Sequence, residues 1–196
     1  MVAHEYTHHV YGHVCAPANG FFPNEILETG SSGNLKGQIE ESVADGYSLY
    51  HVLANLFDSG RETAITALRL GALDLGAQDR VLLSLVIIAV GGYLFMRPLP
   101  SLNANDVYKN THPPQVVRMD VIMQESRHWC GHNRPELQEW MDTTRFQELM
   151  SAVTEATLGS NTTEVAGGQA AFLNSPEGQA YYRALVNDIN AYKASL

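Results

Sequence analysis

Cysteine is nearly absent: Cys15 and Cys130 are the only two in the chain. Two thiols cannot build a disulfide framework or a cysteine-rich metal cage, so a reducing, cytoplasmic setting is expected. Positive charge is scarce as well. Lys and Arg total 12 against 21 Asp and Glu, a net charge of −9. That balance argues against nucleic acid and against anionic lipid, both of which are gripped through basic patches. No segment alternates polar and apolar residues over a strand's length, and neither internal repeats nor low-complexity tracts occur. The chain does not open on a basic start and a long apolar stretch, so no signal peptide is read. Charged residues are only 17% and hydrophobic ones 45%, which excludes a disordered chain. A length of 196 residues suits one domain with a proper core.

What is there reads as helix. Val2 to His13 resembles the end of one, with Pro17 as its stop. Residues Ala16 to Lys36 are dense in Gly, Pro, Asn and Ser and predict a loop. From Gln38 to Phe57, the apolar residues Val43, Tyr47, Tyr50, Ala54 and Phe57 recur at helical spacing. A short helix is expected over Arg61–Leu73, and a very apolar one over Asp79–Met96. Pro113–Arg127 and Pro135–Leu158 each carry proline in the first turn, where a missing N–H costs nothing. Gly159–Gly168 is a polar linker. Pro176–Ala194 predicts a last helix with Tyr181, Leu185, Ile189 and Tyr192 along one face. The expected organisation is a helical domain over 1–158, with 159–196 as a linker and a helix packed on it.

The chemistry concentrates at His4-Glu5-Tyr6-Thr7-His8, an H-E-x-x-H pattern. Successive helical residues turn by about 100°, which puts His4 and His8 on one face, one turn apart. Two imidazoles so arranged can grip one zinc ion, with Glu5 beside them to take a proton from a bound water. His9 and His13 fall on the far side of the wheel. A catalytic zinc needs a third protein ligand, and Glu41-Ser42-Val43-Ala44-Asp45 supplies two carboxylates one turn apart. Glu41 suits the metal. Asp45 suits the far nitrogen of a ligating histidine, whose tautomer it would fix. Glu40 lies about 100° off that face and its one-turn partner is Ala44, so Glu41 is preferred.

These motifs resemble the gluzincin zinc metallopeptidases. A third element strengthens the likeness: Thr111-His112-Pro113-Pro114, followed by Arg118, Met119 and Ile122, is similar to the His-Pro segment and following Arg of CAAX-protease-like and HtpX-like gluzincins. A similar layout occurs in Lit-type peptidases. The three motifs stand in family order over Val2 to about Ile122. The resemblance implies a peptidase acting on a peptide or protein substrate, with zinc held by His4, His8 and Glu41. It implies Glu5 as general base and Asp45 behind the ligands. His112 or Arg118 would stabilise the oxyanion, since developing negative charge calls for a donor there. Gluzincins also carry a small sheet before the first His and about two turns of helix ahead of it, whereas three residues precede His4 here. The expected fold is therefore a mainly α, zincin-like helical bundle without that sheet, and the chain is expected to be part of a longer enzyme.

Two other readings compete. One is a non-catalytic zinc-binding helical module. The other is a small protein anchored in a membrane by Val81–Met96, in which only Ser84 is polar. A span needs about 20 apolar residues and this run is shorter. A single crossing would also leave Glu41 and His112 on opposite sides of the bilayer. A buried central helix is the expectation, and no span. His128 and His132, one turn apart, read as a helix end rather than a second metal site. His51, ten residues past Glu41, is too far from it to share its site.

Overall fold

Among the described residues every regular element is helical and none is a strand. The structure is a computed structural model, and it describes residues 2–10, 35–95, 102–103, 106–149, 151–152 and 168–195. The chain is mainly α, as its sequence predicts. Its helices are α1 (Val2–Val10), α2 (Leu35–Ala54), α3 (Arg61–Ala67), α4 (Leu75–Phe95), α5 (Gln115–Asn133), α6 (Pro135–Met141) and α7 (Pro176–Ser195). Residues 144–149 and 168–173 are helical too. Cys15, almost all of the loop expected over 16–36 and the linker residues 159–167 lie outside the described residues.

The chain forms two compact units that interleave along the sequence. The first comprises Met1–Ser48, Leu99–Arg118 and Glu164–Leu196; the second comprises Leu49–Pro98 and Met119–Thr163. Helix α7 groups with α1 and most of α2.

In the first unit α2 is the buried helix. Residues 41–46 are buried without a break, and the set includes Glu41, Ser42 and Asp45. Tyr181, Leu185 and Ile189 of α7 are buried at helical spacing, the stripe its sequence predicts. Local chemistry sets where α7 begins. The Ser175 hydroxyl accepts from the Gly178 N–H at 3.1 Å, Pro176 occupies the first turn and Glu177 complements the helix dipole. Gly178 is obligatory for packing, because a Cβ there would stand 2.0 Å from the Phe172 carbonyl oxygen.

In the second unit α2 ends in a π turn, Asn55–Ser59, that buries Phe57. The Phe57 ring packs on Trp129 with centroids 5.4 Å apart. The third helix stops earlier than its sequence suggests. Arg69 takes a left-handed φ of 56°, and the Leu70 and Arg69 N–H groups bond back to Ile65 and Thr66, which closes the helix in a Schellman turn. No glycine marks that stop. Asp74 then caps α4 through the Ala77 N–H at 2.8 Å.

The fourth helix is not buried on all faces. Gln78, Asp79, Leu82, Leu83, Ile87, Gly91, Leu94 and Phe95 form one buried stripe, while Leu85 and Tyr93 are each 42% exposed. A helix apolar all round carries no periodic signal of which face is covered. It is long and apolar enough to cross a membrane, with a mean hydropathy of 1.5 over 18 residues, 44% of which are buried.

Candidate metal centre

The site belongs wholly to the first unit. Helix α1 turns one edge inward: Thr7 is 2% exposed, against 59% for Tyr6 and 53% for Val10. The Thr7 hydroxyl bonds the Ala3 carbonyl at 2.9 Å, satisfying itself within the helix. His4, three residues before Thr7, shares that inner edge. Its ring is engaged at both ends. Nδ1 lies 3.1 Å from Asp45 Oδ1, and Nε2 lies 3.2 Å from Glu41 Oε2. Two carboxylates one turn apart on α2 thus hold the two nitrogens of one imidazole.

His112 reaches the same oxygen. Its Nε2 stands 3.2 Å from Glu41 Oε2, and its Nδ1 lies 2.8 Å from the Thr111 hydroxyl. Which partner donates in that bond depends on the imidazole tautomer, and Nε2 faces Glu41 in either. Pro113 and Pro114 follow and are buried.

Arg118 faces Asp45. Its Nε donates to Oδ2 at 2.7 Å and its Nη2 to Oδ1 at 2.8 Å, a bidentate fork. Nη2 also lies 3.9 Å from Glu41 Oε2. Glu40, by contrast, makes a one-turn pair with Lys36 at 3.7 Å.

Exposure rises across the cluster. The side chains are 2% exposed at Glu41 and 17% at His4, but 35% at His112. His112 is therefore the most exposed of these three side chains.

Charge in the metal-free cluster balances. Burial alone lowers the pKa of His4, but hydrogen bonds to Asp45 and Glu41 outweigh it and raise the pKa to about 9. Burial pushes the Asp45 carboxyl up, yet the bonds from His4 and Arg118 hold it below its ordinary value. His4 and Arg118 thus both face the Asp45 carboxylate.

An imidazole nitrogen and a carboxylate oxygen are donors of the kind zinc takes; here His4 Nε2 and Glu41 Oε2 lie 3.2 Å apart, an ion-pair distance. Among the described residues no complete group of three His, Cys, Asp or Glu encloses a metal position. Glu5 and His8 lie on α1, His8 one turn after His4, and their side chains are outside the described residues.

Gln38, which bonds the segment leading into His112, carries no role in the sequence reading. Gln38 sits three residues before Glu41, a position that carries no motif. Elsewhere, His128 and His132 are exposed on α5 with ring centroids 4.6 Å apart. Burial and the charge of Glu136 push the buried Cys130 thiol up to about 12, so it stays protonated and unreactive. No protein-family model, no curated protein and no solved structure matches the chain.

Proposed function

We propose that the chain is a zinc-dependent peptidase of the gluzincin type, with His4, His8 and Glu41 holding the metal and Glu5 as general base. The observation that carries this reading is the His4 ring, held at Nδ1 by Asp45 and facing Glu41 through Nε2. A metal-ligating histidine characteristically gives its other nitrogen to a carboxylate, which fixes the tautomer and raises ligand basicity. His8 enters through its one-turn spacing from His4. Bound there, zinc would act as a Lewis acid on the scissile carbonyl and on the attacking water.

The chain's own residues divide the remaining work. Glu5 takes the proton of the attacking water and passes it to the departing amine. Asp45 keeps the His4 proton on Nδ1, so that Nε2 offers a lone pair. Arg118 spends its fork on Asp45, holding that carboxylate ionised. His112, more exposed than His4, donates from Nε2 to the oxygen that becomes negative as the carbonyl is attacked. Glu41 and His112 flank α4 in sequence and meet at 3.2 Å, which favours α4 as a helix that does not cross a membrane once.

A second reading rests on the raised pKa of His4. A protonated His4 satisfies both carboxylates without any metal, and the network would then be purely structural. Glu5 separates the two. Glu5→Gln keeps size and helix propensity but cannot accept a proton. The peptidase reading expects cleavage of an unstructured protein substrate to fall by at least about 100-fold, with zinc still bound. Cleavage that persists in Glu5→Gln removes the proposed mechanism.

A further inference from the structure

Gln38 lies one turn before Glu41 on the same side of α2, and it is wholly buried. Both of its amide hydrogens and its oxygen are engaged. Nε2 donates to the Val107 carbonyl at 2.7 Å and to the Asn110 carbonyl at 2.8 Å. Oε1 accepts from the Tyr181 hydroxyl of α7. The Tyr181 ring stands edge-on to Tyr108, with centroids 5.3 Å apart. Burial raises the Tyr181 pKa, so its hydroxyl remains a donor at all ordinary pH.

The two carbonyls belong to the segment that delivers His112. Asn110 is two residues ahead of it. Upstream, the Asp106 N–H bonds the Asn103 side chain at 3.0 Å and Lys109 pairs with Asp106 at 3.0 Å, closing the preceding turn. Downstream, two buried prolines fix φ at 113 and 114 and bias His112 toward extended backbone. The backbone leading into His112 is thus tied to the helix that carries Glu41 through one side-chain amide.

We propose that Gln38, oriented by Tyr181, is the positioning residue that sets His112 against Glu41. Its catalytic consequence rests on the peptidase reading, whereas the placement itself does not. An amide is required for it. A carboxylate has no hydrogens to give two carbonyls, and an apolar side chain takes the donor from the buried Val107 carbonyl and the part-buried Asn110 carbonyl and the acceptor from the buried Tyr181 phenol. Nothing in this role needs Gln38 to touch a metal or a substrate.

The test uses the full chain and two variants. Tyr181→Phe removes only the hydroxyl that orients the amide. Gln38→Leu keeps volume and removes all three bonds. In zinc-free protein, the His112 ring resonances should shift in both variants while those of His4 stay in place. In zinc-loaded protein, metal content should hold at that of the wild type. The kcat should fall by up to about 100-fold with KM little changed, as expected when a catalytic group is displaced by an ångström. Adding His112→Ala to Gln38→Leu should then cost nothing further. His112 signals that stay put in folded Tyr181→Phe overturn the proposal, as do losses that multiply with His112→Ala. Should Gln38→Leu fail to fold, Tyr181→Phe decides alone. A wild type that cleaves no peptide, with His112 signals that move in the variants, sinks the peptidase reading and leaves the positioning intact.

Discussion

The two compact units bury different things. In the second, the interior is chiefly apolar: Phe57, Leu82, Leu83, Ile87, Trp129, Leu137 and Met141. Its buried charge, Asp79, is met by Arg61 at 2.7 Å. In the first, α2 buries Gln38, Glu41, Ser42 and Asp45 within two turns, and Arg118 joins them. Burying ion pairs is an inefficient way to stabilise a fold, since desolvation offsets most of the attraction. An apolar core needs no further explanation. A polar cluster of this density, two of whose carboxylates meet one imidazole, is not what stability alone would select.

The largest test of that contrast lies in the second unit. Ile87 is fully buried on α4, whereas Leu85 is 42% exposed. Ile87→Asp should abolish folding, because an unpaired buried charge is far more costly than the whole stability of a domain. Leu85→Asp should change stability by no more than about 0.5 kcal/mol. Thermal melts followed by circular dichroism check both. If Leu85→Asp unfolds the chain as Ile87→Asp does, something covers the outer face of α4.

A smaller effect sharpens the contrast from the other side. Arg118→Ala takes the bidentate partner from buried Asp45 and leaves His4 alone to offset its charge, and should destabilise by up to about 3–5 kcal/mol. Replacing the pair together, Asp45→Leu with Arg118→Met, should recover most of that loss. Zinc affinity should nonetheless fall about 10–100-fold, because His4 loses its carboxylate. Chemical denaturation and zinc titration on the same samples separate the two quantities. A double variant that holds zinc as tightly as the wild type would make the network structural only.

The smallest effect is a pH dependence. His4 rises from an ordinary 6.5 to about 9 in the folded, metal-free chain, so the folded state holds its proton more tightly than the unfolded state. The stabilisation is complete below about pH 6.5 and is lost as pH rises through about 9. Zinc reverses the sign, since the metal must displace that proton: its apparent affinity should climb about tenfold per pH unit up to pH 9. Melting temperatures of metal-free wild type and His4→Ala between pH 6 and 10 show whether this slope belongs to His4.

The contrast between the units also explains what the sequence reveals. Helical spacing puts Glu41 and Asp45 on one face of α2, but only the resemblance of the ordered motifs to gluzincins brings His4 to them. The choice of Glu41 over Glu40 follows from the same arithmetic. Arg118 is different. Its fork onto Asp45 joins residues 73 apart in the chain, and no local pattern states that an arginine in the right segment faces a carboxylate rather than a substrate. Gln38 is invisible for a similar reason, as one amide in an amphipathic helix has no spacing to announce it. In the second unit the elements are legible but their ends and faces are not. Arg69 stops α3 without a glycine, and α4 is too uniformly apolar for its covered side to be read.

The central claim is that His4 is a metal ligand and not a charged strut. Elemental analysis of the purified full chain, refolded with zinc and dialysed, tests it most directly. The account predicts about one zinc per chain in the wild type and in Glu5→Gln, and none in His4→Ala. A folded wild-type protein that retains no zinc, or a His4→Ala variant that retains all of it, would contradict the account.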